Sequence, residues 1–68
     1  MKVSVGQRFK EREPPHRLWE VVRIIKPEHG FRHAQLRLAS DHRTTMMLSC
    51  DEIERDDSFF PALPENVG

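Results

Sequence analysis

The sequence predicts an all-β domain of five short strands, with one helical turn before the last. Three observations carry that expectation. Turn signals recur roughly every 8–12 residues, too closely spaced for long helices. Residues 32–39 alternate between polar and apolar side chains, the period of a half-buried strand. Residues 17–26 hold Trp19, Val21, Val22, Ile24 and Ile25, side chains that crowd a helix and suit a pleated surface.

Along the chain, Gly6 opens a first strand, Gln7-Arg8-Phe9-Lys10-Glu11, in which only Phe9 is apolar. Glu13-Pro14-Pro15-His16 ends it, because each proline fixes φ and lacks a backbone donor. The second strand, Arg17 to Lys26, carries apolar residues on both faces, as expected of a long central strand that bends between two sheets. Pro27-Glu28-His29-Gly30 is a turn in which Gly30 supplies a positive φ. In the third strand Ala34, Leu36 and Leu38 face one way and His33, Gln35 and Arg37 the other. Ser40-Asp41-His42 makes a hairpin connection. Arg43 to Leu48 then returns, with Thr44, Met46 and Leu48 inward and Thr45 and Met47 outward.

Ser49-Cys50-Asp51-Glu52 reads as a capping box, a serine N-cap with a glutamate three residues on. Leu48 and Ile53 sit at staple positions, and Asp51 and Glu52 suit the positive end of the helix dipole. A turn of helix ending near Arg55-Asp56 should follow, then a last brief strand, Ser58-Phe59-Phe60, stopped by Pro61. Residues 1–63 are expected to form a single domain and residues 64–68 a flexible tail.

A strand, a long broken loop, three meandering strands, a helical turn and a short closing strand follow one another here. That order resembles the SH3-like small barrel, five-stranded and partly open, over roughly residues 5–63. An OB-like or other partly open barrel is the alternative. With Gly6 and Phe9 in its opening and Trp19-Glu20-Val21-Val22 in its second strand, the chain is also similar to small bacterial proteins of unknown role.

Size and charge exclude several classes. The chain has 68 residues, of which 37% are hydrophobic. A chain this short buries only about 60% of its unfolded surface, which leaves one thin core. A two-domain enzyme, a nucleotide-binding α/β fold and a buried cofactor site of ordinary size are excluded, and no cofactor is expected. Eleven Lys+Arg balance eleven Asp+Glu, but unevenly. Residues 1–50 carry ten basic and five acidic groups, and residues 51–68 carry one basic and six acidic. The layout is a basic body followed by an acidic tail. The lone Cys50 allows no internal disulfide, which suits a reducing cytosol. No apolar leader or membrane-length run occurs, so the expectation is a cytoplasmic protein without membrane contact.

If the first and third strands are neighbours, with Arg23 and Arg43 nearby, then Arg8, Lys10 and Arg12 together with His33, Gln35 and Arg37 form a surface able to grip phosphates. Such charge supplies backbone affinity but no sequence reading, and no exposed aromatic interleaves to stack bases. The default account is a solvated face, partly neutralised by Glu11, Glu13 and Glu20. Met47, facing outward near Arg37 beside a strand edge, points instead to a protein contact or a homodimer.

Other constellations are weaker. One tryptophan, four phenylalanines and no tyrosine are too few for a proline-rich-peptide groove or a methyl-lysine cage. Trp19 is either a core residue or an exposed anchor, and a small domain can rarely spare its largest side chain from the core. His29 and His33, even joined by His16 and Cys50, supply only half of a zinc pattern, so no metal is expected. At the helix start the dipole favours a Cys50 thiolate, but Asp51 and Glu52 oppose it, which makes Cys50 a half-buried packing residue rather than a nucleophile.

The sequence therefore predicts a non-catalytic binding module without a small-molecule substrate. It would act through protein contact or self-association at a strand edge and the Met47/Arg37 surface. The alternative is weak nucleic-acid binding through Arg8, Lys10, Arg12, Arg23 and Arg37.

Overall fold

The computed structural model describes residues 2–55 and 57–62. Its elements are β1 (Arg8–Glu11), β2 (Leu18–Ile25), β3 (His33–Leu38), β4 (Asp41–Ser49), α1 (Cys50–Glu54) and β5 (Phe59–Pro61). They form one antiparallel five-stranded sheet in the order β4-β3-β2-β1-β5. The all-β expectation holds, but the sheet is not closed into a barrel. β4 and β5 are its edges, and no ladder joins them among the described residues. The physical reason lies in β5, which is three residues long and ends on Pro61, a residue that cannot donate to a further ladder. The expected tail, residues 64–68, lies outside the described residues.

The mixed polarity of β2 has a local cause. Val21 opposes Leu36 and Arg23 opposes Gln35, so Val22 is an extra residue that bulges out of register. The bulge resets the alternation and lets Val21 and Ile24 face the same side. A second irregularity follows Arg37, which opposes Thr45 while Leu38 opposes Asp41. The hairpin turn is Ala39-Ser40, so β4 begins earlier than the sequence suggests.

The inner face buries Phe9, Trp19, Val21, Ala34 and Leu36, closed over by Val3, Cys50, Ile53 and Phe59. Ile24, Leu38, Met46 and Leu48 pack against this cluster from its margin. Burying a side chain such as Phe9 or Leu36 is worth about 1.5–3 kcal/mol, so a few of them decide whether so small a domain folds. Val3 is the addition that periodicity could not show. Gly6, at φ +90°, turns the N-terminal segment back, and its N–H donates to Val21 O at 2.8 Å. Val3 N–H in turn donates to Glu54 Oε2 at 2.9 Å.

The helical turn forms where the cap predicts. Ser49 stays extended and its Oγ accepts from Glu52 N–H at 3.2 Å, while Asp51 and Glu52 occupy the first turn. Two of the four residues from Cys50 to Ile53 turn inward, Cys50 and Ile53. Cys50 is thus a fully buried core residue, not the half-buried one expected, because the cap turns its side chain under the sheet.

Candidate functional site

Cross-strand partners point to the same side of a sheet, so the register places the candidate residues. One row of the outer face runs Arg8–Glu20–Arg37–Thr45, and the next, past the bulge, Arg23–Gln35–Met47. Ile25–His33–Ser49 follows. Lys10 lies in a row with Leu18 and Phe60. Arg8, Lys10, Arg23, His33, Arg37 and Met47 therefore share this face, although β1 and β3 are not neighbours, because β2 pairs with both and lies between them. Arg12 lies just beyond β1, with its guanidinium 5.4 Å from the Phe60 ring centroid.

The charges are not equally available. Arg37 Nη2 donates to Glu20 Oε1 at 2.9 Å, across the β2–β3 ladder. Arg32 is held by Glu54 at 3.1 Å and Arg17 by Glu11 at 2.9 Å. Acidic neighbours thus answer much of the basic body, and Arg37, central to the expected cationic surface, is half of an ion pair. Arg23 and Lys10 are exposed. His33 is half-buried, its Nδ1 2.9 Å from Phe31 O.

Apolar side chains are exposed beside these cations. Met47 is 46% exposed, and Ile25, on the same face across β3, is also exposed. Phe31 is exposed just before β3. Met47 faces Gln35 directly and meets Arg37 only on the diagonal.

The two sheet edges differ in kind. In an antiparallel ladder, successive residues alternately bond to the partner strand and turn their backbone groups away. Cys50 N–H donates to Arg32 O at 2.9 Å, which puts Leu48 and Met46 in the phase that bonds toward β3. Thr45 and Met47 therefore direct their N–H and C=O groups to the outer edge, and Ser49 its N–H, its C=O belonging to the first turn of α1. At the other edge Ala62 N–H donates to Arg8 O at 2.9 Å, so Phe60 bonds toward β1 and Phe59 and Pro61 turn outward. Pro61 has no N–H to offer, and β5 is three residues long against nine in β4. Among the described residues the β4 edge is open and the β5 edge is blunted.

Burial pushes the Cys50 thiol above its ordinary pKa; Arg32 opposes the rise, and Glu54 and Asp51 add to it. Trp19 is core, 2% exposed. Among the described residues no group of three His, Cys, Asp or Glu gathers to hold a metal ion. None of the described helices is long and apolar enough to cross a membrane. A feature that the sequence did not suggest is an open cleft of about 660 Å³ lined by Lys2, Val3, Val5, Ile24, Lys26 and Arg32. It depends on the N-terminal segment folding against β2, which no local pattern announces.

Comparison of the chain with protein-family models, with curated proteins and with solved structures finds no match.

Proposed function

We propose that this chain is a non-catalytic protein-binding module of SH3-like type, which takes a partner strand along the open β4 edge and covers Met47. The observation that carries the reading is the pairing of two exposures on one strand. Thr45 and Met47 turn their backbone donors and acceptors away from β3, as Ser49 does its N–H, with no partner strand among the described residues, and Met47 offers an exposed, adaptable apolar side chain beside them. Strand addition uses this combination: main-chain bonds supply affinity and alternate side chains supply selectivity. The order of elements, with a helical turn between β4 and β5, supports the SH3-like assignment. Burial of Cys50 with a raised pKa favours a packing role for the chain's lone thiol.

Nucleic-acid binding is the weaker reading, since Glu20 answers Arg37 in the middle of the cationic surface. An NMR titration with a capped hexapeptide of alternating Thr and Val tests the proposal. The amide shifts should be confined to Thr45 through Ser49 and should vanish in Thr45→Pro, which removes an outward donor. Unmoved β4 amides at saturating peptide, or shifts centred on Arg8, Lys10 and Arg23 with a short duplex instead, sink it.

A further inference from the structure

We infer that the strand taken up by the β4 edge is β4 of a second copy, paired antiparallel about a two-fold axis at Met46. This inference rests on the reading of the β4 edge as a docking strand and adds the identity and register of the partner. Self-pairing must place outward-bonding residues opposite each other, and these are Thr45, Met47 and Ser49. A two-fold axis therefore passes through residue 45, 46 or 47, because any half-step would set bonding residues against non-bonding ones.

Side-chain chemistry separates the choices. With the axis at Thr45, the exposed Arg43 falls opposite Met47 of the second copy, a charge set against an apolar side chain. With the axis at Met47, the pairing is limited to residues 45–49, because the strand turns into α1 at Cys50. With the axis at Met46, Thr45 pairs with Met47 of the second copy, and the reverse pair follows by symmetry. Met46 meets its own equivalent on the inner face, flanked by Thr44 against Leu48. These inner residues are all half-buried in the single chain and gain cover together.

Charge complementarity agrees. β4 carries Arg43 near its start, its side chain 97% exposed and only loosely held by Asp41 at 3.9 Å. Just past the end of β4 stand Asp51, exposed, and Glu52. Antiparallel pairing about Met46 puts Arg43 opposite Ser49 of the second copy, next to those carboxylates, at both ends of the interface. A parallel partner would set like against like. One strand pair covers less than the roughly 1,200 Å² typical of stable complexes, so the dimer is weak and its population depends on concentration.

Sedimentation equilibrium on the intact chain, from about 10 µM to about 1 mM, tests this, the span being that of weak interfaces. The expected result is a monomer–dimer equilibrium that Arg43→Glu and Asp51→Arg each weaken by roughly fivefold to tenfold. The double variant should restore it. Both positions are exposed, and circular dichroism checks that each variant is folded. A monomer at every concentration overturns the inference, as does a dimer that the charge swap fails to rescue. If the hexapeptide still shifts Thr45 to Ser49 in a chain that stays monomeric, the second copy is the wrong partner and the docking edge stands. If neither event occurs, the docking edge fails as well.

Discussion

Trp19 Nε1 donates to Glu11 Oε2 at 2.7 Å, joining the largest core side chain to the last residue of β1. The same oxygen accepts from Arg17 Nε at 2.9 Å, and the Arg17 guanidinium lies 5.4 Å from the Trp19 ring centroid. The proline-containing loop between β1 and β2 is closed at its base by this trio, together with Glu11 N–H donating to Arg17 O at 3.0 Å. The carboxylate resolves a conflict inherent in a buried tryptophan, whose indole N–H must find an acceptor away from water.

Glu11→Ala should therefore cost about 1–3 kcal/mol, the penalty for stranding a buried donor. The Arg17 pair adds little, because the guanidinium is half-exposed and solvent screens it. Glu11→Gln keeps an oxygen acceptor and should lose less than half as much. Urea denaturation followed by Trp19 fluorescence measures both. Equal losses in the two variants would contradict the acceptor role.

Deleting core and surface phenylalanines should give opposite outcomes. Phe9 is fully buried on the inner face of β1, and Phe9→Ala should remove about 3–5 kcal/mol. Domains of this size have only about 5 kcal/mol or somewhat more to lose, so the variant should be largely unfolded at room temperature. Phe31 is 70% exposed, and Phe31→Ala should stay within about 0.5 kcal/mol of the parent. Thermal melts decide the comparison. A large loss at Phe31 would mean that it is covered in solution by something other than this chain's core.

How much of this was legible in the residues depends on the range of each interaction. The alternation of Ala34 and Leu36 and the Ser49 cap were readable because both are local, set by neighbours two or three positions away. The bulge at Val22 was half-legible: the broken alternation of β2 was plain, but two sheets and one bulge produce the same pattern. Val3 was illegible, because its burial is fixed by a bond to Glu54, 51 positions away. Partial neutralisation of the cationic surface by Glu20 was readable from composition, but its pairing with Arg37, 17 positions away, was not. The sheet edges depend on where β5 stops, which Pro61 hinted at without showing that β4 would be left open.

The cap makes a prediction of its own. Ser49 Oγ satisfies Glu52 N–H at the start of a helix of only five residues, where little else stabilises the turn. Ser49→Ala should cost about 1 kcal/mol, and Ser49→Asp should recover most of it. Because Cys50 and Ile53 depend on that turn for their burial, hydrogen exchange should quicken at their amides in the alanine variant before it does at Leu36. Uniform acceleration across the sheet would show that the cap has no local role.

Glu54 ties the N-terminal segment to α1 and to the approach to β3, accepting from Val3 N–H at 2.9 Å and from Arg32 Nη2 at 3.1 Å. Glu54→Ala should release the N-terminal segment and expose Val3 without melting the sheet. The expected cost is about 1–2 kcal/mol, most of it the stranded amide and the lost Val3 burial. Limited proteolysis near Lys2 should become faster while the Trp19 fluorescence maximum stays put. An unchanged cleavage rate would place the hold on Val3 in packing alone.

Alkaline pH should test the burial of Cys50. Its thiol is held above the ordinary value chiefly by loss of solvent, so the folded chain keeps the proton after the unfolded chain has released it. Stability owed to the neutral thiol is therefore intact at neutral pH. It falls as pH rises through the ordinary thiol range toward the raised folded value. Lysines titrate nearby, so the informative quantity is the difference between the parent and Cys50→Ala. The parent should lose stability more steeply than the variant between about pH 8 and about pH 10, the range in which free thiols ionise. Iodoacetamide should label the native chain slowly at neutral pH and the urea-unfolded chain quickly. Parallel pH profiles together with rapid native labelling would mean that the thiol reaches solvent, and that Cys50 does not belong to the core.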